Sequence, residues 1–267
     1  MTANSTQNIS TQNIASGLQI LQLSAGLTLT VQILGQGSPV LLLHGGGGPQ
    51  VLQVFAQRLA QRHQVFIPIH PGFSGTHRPE QHNTIKDLAA TYATFLQHLN
   101  LQEVVVMGFS MGGWIASELV LHDSSRIGKL VLVNAVGIEV PGHPVTDVFN
   151  VTPAELARLS FHRPEAVQQV PLTPELMALR AANFATLALY DQNLKMADPN
   201  LHPRLSEVQV PVLVTWGESD GIVDLTYGQA YAAAFPQAQF VTIPEAGHQP
   251  QVEQPDRLLT ALQSFLQ

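Results

Sequence analysis

The chain has 267 residues, enough to bury one full α/β core with room for a small insertion. It has 12 Lys and Arg against 19 Asp and Glu, a formal charge of −7 and no basic cluster to displace counterions from phosphates, so nucleic acid is not an expected partner. With no cysteine, disulfide scaffolds, thiolate nucleophiles and cysteine metal sites are excluded.

Residues 1–16 are rich in Asn, Gln, Ser and Thr without hydrophobic period and read as a frayed tail. They lack the basic and apolar regions of a secretory signal, and the chain has no apolar run of the ~18 residues a membrane span needs, so a cytoplasmic protein is expected. Residues 18–23 and 27–34 alternate as a strand pair, broken near Gly26. After the turn at 35–39, residues 40–43 form the continuous apolar run of a strand covered on both faces. That strand ends in His44-Gly45-Gly46-Gly47-Gly48-Pro49, a backbone able to approach a ligand closely and lacking the Gly-Lys-Ser/Thr ending of a phosphate loop. Helix is expected over 51–62, strand over 65–67, a loop at 70–75 and an amphipathic helix over 84–99.

Residues 104–109 read as a buried strand that stops at Ser110, boxed by Gly108 and Gly112 in the pattern Gly-x-Ser-x-Gly, with a helix opening at Met111. This pattern is a strand-turn-helix elbow that lifts a serine hydroxyl above a sheet edge, beside the unpaired amides of a helix start. Another buried strand follows at 129–134. From 137 to 205 prolines at 141, 144, 153, 164, 171 and 174 punctuate short helical pieces such as 153–161 and 174–190, and an inserted helical cap is expected there. Strand and helix then alternate again, with strands at 212–216 and 239–243 and helices at 227–235 and 254–265. The polar stretches Gly217-Glu218-Ser219-Asp220-Gly221 and Pro244-Glu245-Ala246-Gly247-His248 follow these last two strands. Parallel strands would carry them to the same carboxyl edge as Ser110.

The His44-Gly45-Gly46 turn, residues 71–75, the Ser110 elbow, Trp216 to Asp220, and Ala246-Gly247-His248 followed by Glu253-Gln254-Pro255 together resemble the α/β-hydrolase-fold superfamily, in the branch called AB hydrolase 1. The resemblance runs from about residue 20 to the end. It implies a mostly parallel eight-stranded sheet flanked by helices, with the core at 17–136 and 206–267 and a helical cap at 137–205. It also implies Ser110 as nucleophile, His248 as base, Asp220 as orienting acid, and the amides of Gly46 and Met111 as the oxyanion hole, with Gly47 the alternative to Gly46. Asp224 is the rival acid, or a helix cap for the residues after it. Asn134 stands where some relatives take the acid and cannot serve as one. His44 reads as a structural hydrogen-bonding residue, and His70, His77 and His82 as solvated loop residues without metal-ligand spacing.

A serine at the elbow excludes the dehalogenases and epoxide hydrolases of this fold, which use aspartate there. Carbon-carbon hydrolases of ring-cleavage products typically carry Asn before the serine and Trp after the histidine, where this chain has Phe109 and Gln249. The expected activity is therefore hydrolysis of small or medium apolar carboxylic esters through an acyl-enzyme, with neither metal nor cofactor. Phe73, Phe109 and Gln249 are expected at the substrate pocket. Carbon-carbon hydrolysis, a ligand receptor of the same fold and perhydrolase side activity stand as alternatives. The sequence leaves the oligomeric state open.

Overall fold

A computed structural model describes residues 17–165 and 173–267. The tail expected over 1–16, and residues 166–172 of the expected cap, lie outside the described residues. Eight strands form one sheet in the order β1-β2-β4-β3-β5-β6-β7-β8. β1 (Gly17–Ser24) and β2 (Leu27–Leu34) make the antiparallel pair, and β2 runs antiparallel to β4 (His63–Pro68). The strands β4, β3 (Ser38–Leu43), β5 (Val104–Phe109), β6 (Ile127–Val133), β7 (Val212–Gly217) and β8 (Ala238–Ile243) are mutually parallel. The apolar runs at 40–43 and 104–109 are therefore central strands, buried on both faces.

Alternation along β5 divides its side chains between two cores. Val104 and Val106 pack with α2 (Ile85–His98), α3 (Met111–His122) and α7 (Leu225–Ala233); Val105, Met107 and Phe109 pack with α1 (Gln53–Leu59) and α9 (Pro255–Leu266) on the other face. Among the described residues no helix is long and apolar enough to cross a membrane.

Between β6 and β7 lie α4 (Pro153–Ser160), α5 (Pro174–Asp191) and the short α6 (Leu201–Arg204). α4 and α5 begin alike, with proline at the first helical position and a threonine cap, Thr152 or Thr173, accepting a backbone N–H of the first turn. α5 docks by its second half only. Asn183, Leu187 and Tyr190, spaced i, i+4 and i+7, are its buried face toward the core. Tyr190 donates to the Pro71 carbonyl at 3.0 Å, Thr186 to that of Gly72 at 3.0 Å, and Asn183 Oδ1 accepts the Ser74 N–H at 2.8 Å.

Candidate active site

β3, β5, β7 and β8 all end at one edge of the sheet, so the four polar stretches expected to act together do leave from that edge. Ser110 has φ 53° and ψ −120°, a conformation that side-chain-bearing residues rarely adopt. It is held there by its N–H on the Val133 carbonyl at 3.1 Å and its C=O taking the Gly113 N–H at 2.8 Å. Both glycines of the elbow answer to close approach. A Cβ on Gly108 would lie 2.6 Å from the Gly113 Cα and closer still to the Gly112 carbonyl oxygen. One on Gly112 would lie 2.7 Å from the His44 carbonyl oxygen and closer still to that of Leu43.

Ser110, His248 and Asp220 stand in one hydrogen-bonded line. The Ser110 Oγ is 2.9 Å from His248 Nε2, and His248 Nδ1 is 2.8 Å from Asp220 Oδ2. Asp220 is buried, and its other oxygen accepts the N–H groups of Ile222 at 2.8 Å and Val223 at 3.1 Å. Ser110 and His248 keep some exposure. Asp224 does the other work the sequence allowed it, capping α7 by accepting the Tyr227 N–H at 2.8 Å, and it also pairs with His143.

Asn134 is the residue whose part the sequence did not reveal. Fully buried at the end of β6, with φ 47°, it donates through Nδ2 to Asp220 Oδ2 at 2.7 Å and accepts the Gly217 N–H at 3.2 Å. The same oxygen that faces His248 is thus oriented by a neutral amide. Asn134→Asp would set a second carboxylate against Asp220, where the two share a proton until the pH rises enough to remove it. A shared proton takes negative charge from the oxygen that faces His248, and kcat/KM is expected to fall about tenfold. Initial rates check it, and wild-type kcat/KM would show that Asn134 only fills space.

The glycine loop lies over the serine. A Cβ on Gly45 would be 3.0 Å from the Ser110 Cβ, and one on Gly46 would be 2.7 Å from Leu187 Cδ2 of α5. At the start of α3 the Met111 amide has no carbonyl one turn back to accept it. Of the loop, it is Gly45 that meets the serine directly, its Cβ position lying 3.5 Å from the Ser110 Oγ. Gly47 is the exposed member of the loop.

Three sequence expectations differ from the structure. Phe109 does not face the pocket: it packs edge-to-face on Phe55 at 5.7 Å in the core on the α1 side, because a residue adjacent to Ser110 along the strand points the opposite way. Phe73 is fully buried against the rings of His44 and His70, at 5.1 and 5.7 Å, so it too is core. His70 is not solvated but fully buried against His44, with ring centroids 3.7 Å apart and planes tilted by 31°. Burial pushes His44 down to about 4, against a weaker upward pull from the Gly45 carbonyl, and holds His70 well below the usual imidazole range. Gln249 is half-buried and opens the short helix α8 (Pro250–Glu253) directly after His248.

The segment leaving α4 is tied to both reactive loops. The Ser160 carbonyl accepts the His248 N–H at 2.8 Å and that of Leu159 accepts the Gly221 N–H at 2.9 Å. Glu253 clasps the junction, its carboxylate accepting the N–H groups of Gly247 at 2.7 Å, His162 at 3.1 Å and Arg163 at 3.1 Å.

Comparison with known proteins identifies the fold. A family model described as alpha/beta hydrolase fold matches residues 38–255. The chain is 28% identical to the 2-hydroxy-6-oxo-6-phenylhexa-2,4-dienoate hydrolase of Burkholderia cepacia, over 87% of this chain and 88% of that protein. Among solved structures, a thermophilic esterase from Thermogutta terrifontis is 26% identical with TM-score 0.74, covering 94% of this chain and 98% of that one. A meta-cleavage product hydrolase from Pseudomonas fluorescens shares the fold with TM-score 0.77 at 22% identity, covering 93% and 97%.

Proposed function

The chain belongs to the alpha/beta hydrolase fold family, and we propose that it is a serine hydrolase cleaving carboxylic esters of small to medium apolar acids. The observation that carries the reading is the unbroken line from Ser110 through His248 to buried Asp220. A serine hydroxyl is a weak nucleophile until a neutral imidazole can take its proton, and the imidazole needs a fixed carboxylate to set its tautomer. In this reading Ser110 Oγ attacks the ester carbonyl and His248 Nε2 takes its proton. The oxyanion falls to the amides of Gly46 and Met111, each worth about 3 kcal/mol in the transition state. The imidazolium then protonates the leaving alcohol, and a water activated by His248 releases the acid from Ser110.

The described residues of 137–205 act as the cap. Cap residues set apolar groups against two of the loops that carry the site, Leu187 covering Gly46 and Leu159 lying against Gly221, while Phe149 meets Phe184 of α5 edge-to-face at 6.0 Å. Such walls suit an apolar acyl chain. The resemblance to dienoate hydrolases favours a second reading, cleavage of a carbon-carbon bond next to a ketone, in which the substrate must itself accept the electron pair of the departing carbon. Turnover of p-nitrophenyl butyrate measured beside that of a vinylogous 1,5-diketone separates the two. Higher kcat/KM for the ester is expected; the reverse order would replace the ester reading by the carbon-carbon one.

A further inference from the structure

Four buried groups behind the glycine loop have no part in the chemistry just described: the rings of His44 and His70, the Tyr92 hydroxyl and the Gly45 carbonyl. Their hydrogen bonds admit only one arrangement of protons. The His70 backbone N–H points at His44 Nε2 at 3.2 Å and can only donate, so Nε2 is bare and the proton of His44 sits on Nδ1. Nδ1 then donates to the Gly45 carbonyl at 2.7 Å. The His44 carbonyl, 2.8 Å from His70 Nε2, can only accept, so His70 carries its proton on Nε2. Its Nδ1 is left to accept from the Tyr92 hydroxyl of α2. Burial keeps both rings neutral, as this arrangement requires.

Two consecutive carbonyls, of His44 and Gly45, are thereby each held by an imidazole. The Gly45 carbonyl also takes the Gly48 N–H at 3.1 Å, which closes the loop on itself. In a trans peptide the N–H points opposite to the C=O of the same plane, and the described chain has no cis bonds. Fixing the Gly45 carbonyl therefore fixes the Gly46 N–H in the opposite direction, and Gly45 itself lies against the serine, its Cβ position 3.5 Å from the Ser110 Oγ. A four-glycine loop has no side chains of its own to impose this orientation, and glycine allows many others.

We infer that His44, His70 and Tyr92 form a buried hydrogen-bond relay that orients the Gly46 N–H as an oxyanion donor, making all three positioning residues. This rests on the serine-hydrolase reading and extends it to residues that never touch substrate. Preorganisation of such a donor matters because it costs no reorientation when charge develops.

The test uses the full chain with p-nitrophenyl butyrate and an alkyl trifluoromethyl ketone, which forms a tetrahedral oxyanion on a serine. Tyr92→Phe removes only the hydroxyl that fixes the His70 tautomer, His70→Ala removes the donor to the His44 carbonyl, and His70→Gln replaces that donor by an amide at a similar reach. His70→Ala is expected to lower kcat/KM about 100-fold, Tyr92→Phe about fivefold, with ketone affinity falling in parallel and His70→Gln recovering most of both. Wild-type kcat/KM and ketone affinity in Tyr92→Phe and in folded His70→Ala would overturn the relay, as would a His70→Gln variant no better than His70→Ala. If His70→Ala does not fold, Tyr92→Phe decides alone. Fluorophosphonate labelling of wild type keeps the two levels apart: an unlabelled wild type overturns the serine-hydrolase reading, whereas a labelled, active wild type with indifferent variants overturns only the relay.

Discussion

Ser110→Ala is expected to lower kcat about 10⁶-fold and to abolish fluorophosphonate labelling, while leaving the fold as stable as wild type. The loss is that large because the alanine leaves His248 with no hydroxyl to deprotonate at the 2.9 Å position. His248→Ala should cost about as much and Asp220→Asn roughly 10⁴-fold, since these three act as one unit and their losses do not add. The stability half of the prediction follows from the backbone. Ser110 sits at φ 53° and ψ −120°, a strained conformation that a Cβ resists whether or not it bears a hydroxyl, so alanine relieves nothing. Ser110→Gly does relieve it, and against the entropy cost of a glycine a net gain of about 1 kcal/mol is expected. Denaturant midpoints of the two variants, beside their labelling, check both halves. Labelled Ser110→Ala would place the nucleophile elsewhere, and a Ser110→Gly less stable than Ser110→Ala would remove the argument from strain.

What the sequence made legible was what strand ends announce. Val104 to Phe109 stopping at a glycine-boxed serine, and polar turns after 212–216 and 239–243, could be set on one sheet edge because near-continuous apolar strands signal a parallel sheet. The observed order sets β7 beside β8 and puts only β6 between β5 and β7. Phe109 was legible too, since the period of two that buries Val105 and Met107 on the α1 side carries Phe109 with them; adjacency to Ser110 in the chain was the wrong guide. His70 was not. In a His-Pro-Gly loop nothing local distinguishes a solvated imidazole from one whose partners, His44 and Tyr92, lie 26 and 22 residues away. Asn134 fell between the two: its position marked it as the place of an acid, but its bond to Asp220 needs the spacing between β6 and β7, which a sequence does not state. Glu253 likewise stood out only as part of a motif, and its hold on the residues after α4 appears once the chain is folded.

Gly112→Ala is expected to cost more than about 4 kcal/mol of stability, or to prevent folding, because its added carbon has nowhere to go. The atoms it meets are the carbonyl oxygens of Leu43 and His44, backbone at the end of a central strand rather than the tip of a flexible side chain. β3 is hydrogen-bonded between β4 and β5, so Leu43 cannot retreat without breaking its ladder. On the other side, all of residues 111–120 are buried, so α3 cannot lift away without opening the core. Whichever yields, the His44 carbonyl moves, and with it the glycine loop that meets Ser110 at Gly45. The variant that does fold should therefore lose activity along with stability. Gly47→Ala supplies the contrast in stability, because its Cβ would meet only Val51 Cγ1 at an ordinary 3.6 Å. Guanidinium midpoints for the pair test the point. A Gly112→Ala protein with the midpoint of Gly47→Ala would mean that the strand end and the helix start have slack between them, and that the second glycine of the elbow is there for the turn rather than for the approach of the oxyanion loop.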